Sequence, residues 1–364
     1  MHSLGWISED KLKSRALSGF GVLQVEPTDH CNLACTMCRP HAEGWTQIHG
    51  VPKGFLSVDL WRRVVDTFLE DQVCFDHIIF QWLGDPLFHP ELHLLLNEGQ
   101  RLVDQVEYLR VDSNMILLDE KRLRSILASV QTGRVPVLMV ASIDAVSSET
   151  YLKVKGFDRL QVVRENIRRL LRLRREYDVP LNLQLQFVVQ EDNHHEALLF
   201  KEYWLELLTC YGTGSQWHDE IMFKRLSVDG GGPGQLRADE LYQQSVLDAG
   251  ISGGVKNGVN ICIWEEEPWQ VTSEAKSTTQ RNACPALWST PVIRHDGRLM
   301  TCCADLQGTM VVGDLETERF STLWLSPSMR QRRQEHLQGT FRDACEGCGG
   351  INWYALPDHS NDWT

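Results

Sequence analysis

No stretch of this 364-residue sequence approaches the roughly 20 consecutive apolar residues that a membrane-spanning helix needs. The first twenty residues, MHSLGWISEDKLKSRALSGF, carry charges throughout, so the apolar core of a secretory signal is missing too. A soluble cytoplasmic protein is expected, with no membrane partner. Excess positive charge is also absent. The formal net charge is −13, which speaks against nucleic acid as a partner because phosphate binding needs a basic surface. The arginine-rich stretch RENIRRLLRLRREYD (164–178) does not change this. Leu160, Val163, Ile167, Leu170 and Leu171 form one apolar helical face, which leaves the arginines mostly on the solvated side. The glycine-rich DGGGPG (229–234) lacks the Lys-Ser/Thr pair that would complete a P-loop. No repeat of fixed period is present.

Cysteine, by contrast, is plentiful, with 11 residues. In an intracellular chain, grouped cysteines point to metal or redox chemistry before disulfides. Cys74, Cys210 and Cys262 are scattered and read as small buried hydrophobes. The others fall into two groups. CNLACTMC (31–38) offers Cys31, Cys35 and Cys38 but no fourth cysteine, whereas a structural tetrahedral site normally takes four protein ligands. Three thiolates can hold three corners of a [4Fe–4S] cube and leave one iron open to an outside ligand; zinc with a distant fourth residue is the alternative. The second group has its four, Cys284, Cys302, Cys345 and Cys348, in a short module of the kind that a metal centre holds together.

Between these groups the pattern is regular. Apolar strand-like runs at 22–28, 77–83, 106–112, 135–142, 181–189 and 220–227 alternate with amphipathic helical runs near 57–70, 91–102, 118–129, 158–177 and 194–208. Six strands each followed by a helix imply a parallel α/β sheet, open or partly closed, a partial (β/α)6 TIM-like barrel. In LNLQLQFVV (181–189), Leu181, Leu183, Leu185 and Phe187 share one face and Asn182, Gln184 and Gln186 the other. The polar face is expected to line the barrel, which makes Gln184 and Gln186 candidate contacts to a bound molecule. Lys224 and Arg225, neighbours on the sixth strand, point to opposite faces, so at most one reaches the interior. We expect a barrel over 1–227, a linker or edge cover over 228–283 that includes the acidic run EEEP (265–268), and a small α+β domain over 284–364. Its TPVIRHDGRLMTCC (290–303) reads as a hairpin turning at Asp296-Gly297.

CNLACTMC resembles the signature of the radical S-adenosylmethionine (SAM) superfamily, three cysteines at this spacing on the loop after the first strand. The resemblance implies a [4Fe–4S] cluster on Cys31, Cys35 and Cys38. SAM then binds the open iron and is cleaved to a 5′-deoxyadenosyl radical that takes a hydrogen atom from substrate. Met37 stands where the family usually has an aromatic residue against adenine. Further segments agree, each after a strand. QWLGDPLFHP (81–90) resembles the Gly-Gly-Glu-Pro segment that binds the SAM amino group, with Leu83 for the first glycine, Gly84 and Pro86 in place, and Asp85 for the glutamate. DSNM (112–115) supplies Ser113 and Asn114. SIDA (142–145) places Ser142 toward the SAM carboxylate or ribose, while Asp144 shapes the loop. YLKVKG (151–156) has Lys155 where the family has arginine. The resemblance covers roughly residues 20–210.

GRLMTC (297–302) resembles an element of the SPASM and shorter twitch domains, which carry auxiliary [4Fe–4S] clusters. No cysteine follows Cys348, so a one-cluster, twitch-type version is expected, ligated by Cys284, Cys302, Cys345 and Cys348; zinc on four thiolates is the alternative. Cys303 is left over, as a swapping ligand, a hydrogen-atom donor to a substrate radical, or a packed residue on the opposite strand face; in an epimerase Cys303 or Cys262 would quench the substrate radical. Relatives of this layout oxidise an aminocyclitol in antibiotic biosynthesis, epimerise or dehydrate sugars, or modify ribosomal peptides. Barely twenty residues precede the first strand, too few for a leader-binding domain, which favours a small hydroxylated substrate oxidised to a ketone. The family also implies an electron donor of the flavodoxin or ferredoxin type.

Overall fold

A computed structural model describes residues 21–38, 51–212, 218–227, 232–263, 283–346 and 348. Six parallel strands form its centre: β1 Val22–Val25, β2 His77–Phe80, β3 Tyr108–Ser113, β4 Val137–Ser142, β5 Leu181–Val189 and β6 Asp219–Arg225. Their order in the sheet follows their order in the chain. The crossovers carry helices α1 Val58–Glu70, α2 Leu92–Gly99, α3 Glu120–Gln131, α4 Ser148–Lys155, α5 Leu160–Tyr177 and α6 Ala197–Tyr211. Helix α1 shows why these form. Ser57 caps it by accepting from Leu60 N at 3.3 Å, and Leu60, Trp61, Val64, Val65 and Phe68 are buried along one stripe.

Alternation along the strands separates the two faces. Leu23, Val25, Ile78, Phe80, Leu109, Val111, Val137, Met139, Leu183, Leu185, Phe187, Ile221 and Phe223 are at most 1% exposed and belong to one apolar core with the helices. The intervening positions bring Gln24, Arg110, Asp112, Asn182, Gln184, Gln186, Glu220 and Lys224 to the inner face, as the alternation in β5 predicts.

The sheet is longer than the sequence suggests. After helix α7 (Gly232–Tyr242), β7 Gly254–Lys256 and β8 Val259–Ile263 form a hairpin, and β8 pairs in parallel with β6. The segment expected as linker or cover is therefore partly sheet; the acidic run 265–268 and residues 229–231 lie outside the described residues. On the other side, β9 Val292–Ile293 pairs in parallel with β1, through Gln24↔Val292 and Val25↔Ile293. The hairpin to β10 Arg298–Met300 turns at Gly297, φ +85, and β11 Val311–Asp314 completes an 11-stranded sheet. The C-terminal module, with helices α8 Ala286–Ser289, α9 Phe320–Trp324 and α10 Pro327–Leu337, thus continues the barrel wall.

One expectation needs correction, and one arginine is an exception to another. Arg174, which follows Leu170 and Leu171 by one turn on α5, is 3% exposed and grips Asp219 bidentately at 2.6 and 2.8 Å, because the start of β6 brings a buried carboxylate to it. Cys210 is exposed and Cys74 and Cys262 are half-buried, so none of the three is a fully packed apolar residue. No described helix is long and apolar enough to cross a membrane.

Candidate active site

The three-cysteine loop leaves β1 and is clamped from two sides. Ala34 N and Thr36 N donate to the carbonyls of Lys155 and Val154 at the end of α4, at 3.2 and 3.0 Å. Gly156, φ +80, ends that helix, and a Cβ there would stand 2.8 Å from Ala34 O. On the other side Asp85 N donates to His30 O at 2.8 Å, and a Cβ on Gly84 would meet Thr28 O at 2.4 Å and His30 O at 2.6 Å. Both glycines are needed for close backbone approach. The thiols are close enough to sense one another. Burial, then Asp85 and Cys35, raise Cys31 to about 11; burial, then Cys35 and Cys31, raise Cys38 to about 12. If an iron–sulfur cluster binds these thiols, each must lose its proton to solvent or base, so assembly would release protons.

Asp85 is 4% exposed and accepts from Leu87 N at 2.9 Å, Ser113 Oγ at 3.0 Å to each oxygen, and Asn114 N at 2.8 Å. Burial raises its pKa despite these bonds. Asp85 thus buckles the loop after β2, including Pro86, to the loop after β3. Asn114 Nδ2 in turn donates to Asn32 Oδ1 at 2.7 Å, so this network orients the residue after Cys31. Met37 Sδ lies 3.8 Å from Gln190 Nε2, on the far side of the loop.

After β4, Asp144 takes a left-handed φ of 61 and is fully buried. It accepts from Lys155 Nζ at 2.5 Å and Val188 N at 2.7 Å. Lys155, 2% exposed, also donates to Ser142 Oγ at 3.1 Å. Burial opposes its charge, but Asp144 and the nearby thiols of Cys35 and Cys38 outweigh that and raise its pKa. A permanent cation thus faces the cluster loop, beside the hydroxyl of Ser142. Lys155 stands out in the sequence only as a replacement for arginine; its burial is visible only in the fold.

The inner wall of the barrel is strongly polar. Arg110 grips Asp112 at 2.6 Å through both Nε and Nη2. Gln184 Nε2 donates to Glu220 Oε2 at 2.5 Å, and Asn260 Nδ2 donates to Glu220 Oε1 at 3.3 Å and to Cys262 Sγ at 3.1 Å. His77 stacks on Tyr108 with centroids 4.5 Å apart, and burial, then Arg110, push it down to about 3, so it is neutral. Lys224 faces the interior, where burial, then Arg110, lower it to about 8. Arg225 is on the outer face, paired with Asp239 of α7 at 3.1 Å, and is not part of this wall. Arg110, Asp112 and Glu220 were not singled out from sequence, although their alternation with Leu109, Val111 and Ile221 carried the signal. Asn260 could not be found that way, because β8 joins the wall only by pairing with β6.

Cys284, Cys302, Cys345 and Cys348 line one cavity together with Ala286, Met310 and His336. Four thiols around one cavity form a donor set that suits a multi-atom iron–sulfur cluster. Cys345 is raised to about 12 by burial, then by Cys302, Cys284 and Cys348. Cys303 lies beyond the end of β10, so the strand-face expectation does not apply. It packs with Trp82, Val292 and Met300, between the cavity and the loop after β2.

Comparison with known proteins agrees with this geometry. Residues 25–183 match the model of the Radical SAM superfamily, and residues 284–349 match that of SPASM, an iron-sulfur cluster-binding domain. The GTP 3′,8-cyclase of Clostridium acetobutylicum is 26% identical over 151 residues, covering 42% of this chain and 43% of that protein. SuiB of Streptococcus suis bound to S-adenosylmethionine superposes with a TM-score of 0.56 at 13% identity, over 93% of this chain and 73% of that one. For anSMEcpe with bound AdoMet the values are 0.54 and 14%, over 94% of each chain. At such identities the likeness is one of fold. SAM and a [4Fe–4S] cluster belong to the first matched domain and auxiliary iron–sulfur chemistry to the second. The chain therefore joins a Radical SAM domain to a C-terminal SPASM domain.

Proposed function

We propose that the protein is a radical SAM oxidoreductase that oxidises a small hydroxylated substrate, sugar-like or aminocyclitol-like, to a ketone in natural-product biosynthesis. The observation that carries this reading is the inner wall of Arg110–Asp112, Gln184–Glu220, Gln186 and Lys224, a surface built for hydrogen-bonding groups. When bound, SAM and its cluster supply the radical that removes a substrate hydrogen atom, and the auxiliary cluster supplies an electron acceptor. The chain's own residues do the rest. Cys31, Cys35 and Cys38 hold the first cluster, with Gly84, Ser113, Asn114, Ser142 and Lys155 shaping the SAM site around it. Lys224, at about 8, has an unprotonated fraction near neutrality and takes the hydroxyl proton. Cys284, Cys302, Cys345 and Cys348 hold the acceptor. A flavodoxin- or ferredoxin-type protein provides the first electron.

A specific observation favours a second reading, redox-neutral epimerisation. Cys262 lies on the inner face of β8 beside Glu220, and burial, then Glu220, raise it to about 12, which keeps it as a thiol able to return a hydrogen atom. SuiB has been solved with the precursor peptide SuiA and anSMEcpe with the Cp18Cys peptide, so peptides belong among the substrates tested. The experiment is anaerobic turnover of the reconstituted protein with sugars, aminocyclitols and peptides. A product lighter by two hydrogens, with one 5′-deoxyadenosine per turnover, supports oxidation. Solvent deuterium at an inverted carbon favours epimerisation and overturns it.

A further inference from the structure

Glu220 is a half-buried carboxylate on the inner wall whose partners among the described residues are uncharged. Gln184 Nε2 donates to one oxygen at 2.5 Å and Asn260 Nδ2 to the other at 3.3 Å; Cys262 is the third neighbour. The inner-face cations are committed or distant. Arg110 spends two nitrogens on Asp112. Lys224 lies four residues further along the same strand, about 13 Å at the rise of an extended chain. Arg110, although bonded to Asp112, still feels the charge of Glu220, but the hydrogen bonds to the Glu220 carboxylate come from neutral amides, so a ligand that brings both donors and positive charge gains a charge-assisted contact there.

The neighbouring amides indicate what kind. The bond from Gln184 Nε2 to Glu220 fixes the amide, so Gln184 Oε1 is turned away from the carboxylate. That oxygen is buried and has no hydrogen-bond partner, and Gln184 is 4% exposed. Gln186 Oε1, on the same face of β5, is also buried without a partner. The register sets these groups side by side, with Gln184↔Glu220 and Gln186↔Met222 as cross-strand pairs. One carboxylate and two amide oxygens therefore lie as acceptors on neighbouring positions of the same face, and orphaned buried acceptors carry a cost that a ligand with matching donors removes. A protonated amine has three N–H donors and a positive charge.

We propose that Glu220, Gln184 and Gln186 form an ammonium cradle on the inner wall, which selects substrates bearing a primary amine near the carbon that reacts. This rests on the reading of the barrel interior as the substrate site and adds a charge requirement that oxidation by itself does not impose. Met222 forms the apolar floor between the two glutamines' strand and β8. The thiol of Cys262 borders the cradle without taking part in the ionic contact.

The test is binding, not turnover, so that its failure is distinct from failure of the oxidation reading. The SAM-loaded, reconstituted protein is titrated with matched pairs that differ only in amine against hydroxyl: glucosamine and glucose, galactosamine and galactose, trans-2-aminocyclohexanol and trans-1,2-cyclohexanediol. At pH 7 at least one amine should bind about tenfold more tightly than its partner, as one charge-assisted contact predicts. Glu220→Gln, which keeps the hydrogen-bonding shape, should abolish that preference; Glu220→Asp should keep part of it. Equal binding within every pair, no binding by any amine, or a preference that survives Glu220→Gln overturns the cradle. Amine-selective binding without a product lighter by two hydrogens leaves the cradle standing and removes only the oxidation reading.

Discussion

The indole Nε1–H of Trp82 donates to the carbonyl of Cys303 at 3.0 Å, joining the loop after β2 to the neighbour of Cys302, which lines the four-cysteine cavity. Trp82 is 7% exposed and packs on Val292 and Met300, so it forms part of the partition between the SAM loop and the SPASM domain. Trp82→Phe keeps most of the packing and removes the bond, at a cost of about 1 kcal/mol. We expect SAM cleavage to continue and product formation to lag, giving a several-fold rise in 5′-deoxyadenosine per product. An unchanged ratio would show that this contact does not couple the two halves.

A second link between the domains is ionic and should respond to pH. Glu26 Oε2 and His295 Nδ1 are 2.8 Å apart, and His295 Nε2 lies 3.2 Å from Pro52 O. With an acceptor at each nitrogen, the imidazolium fits better than either neutral tautomer. Burial works against the charge, but Glu26, with Asp29, outweighs it and raises the pKa. Because the folded pKa is above the unfolded value near 6.5, the stabilisation is fully present below about pH 6.5 and is lost as pH rises through the folded pKa. Melting temperature should therefore fall over that window, and His295→Gln should flatten the fall. A steeper fall in the variant would contradict the assignment.

How much of this could be read from sequence depended on distance along the chain. The period-two pattern of LNLQLQFVV placed Gln184 and Gln186 on the inner face because strand parity is a local property. The three-plus-four division of the cysteines likewise follows from spacing. Local pattern could not show that β8 lies beside β6, and so missed Asn260. Nor could it show the burial of Arg174, whose partner, Asp219, is 45 residues away. The same holds for Glu26 and His295, 269 residues apart.

Lys155 and Asp144, 2% and 0% exposed, form an ion pair at 2.5 Å. Removing one member leaves a buried charge without compensation, which typically costs about 3–5 kcal/mol. Lys155→Met should lower unfolding free energy by that order in denaturant titrations of the cluster-free protein. The double variant with Asp144→Asn should recover part of it, since the stranded carboxylate is then gone. Additive losses in the double variant would mean that the pair is not energetically coupled.

Gly84 provides a test confined to the three-cysteine loop. An added Cβ would lie 2.4 Å from Thr28 O, 2.6 Å from His30 O and 2.7 Å from the carbonyl carbon of Asp29. All three are backbone atoms, so no rotamer relieves the clash. Gly84→Ala must push the loops apart and break the 2.8 Å bond from Asp85 N to His30 O, immediately before Cys31. Iron on Cys31, Cys35 and Cys38 should be lost, while the cavity of Cys284, Cys302, Cys345 and Cys348 keeps its own. Reconstituted Gly84→Ala should then hold about half the wild-type iron, with two [4Fe–4S] sites reduced to one, and its reduced electron paramagnetic resonance spectrum should not respond to SAM. Gly253→Ala, whose Cβ would have no neighbour nearer than 3.5 Å, is the control and should retain both properties. Full iron content and a SAM-responsive spectrum in Gly84→Ala would show that the close approach does not govern assembly of the first cluster.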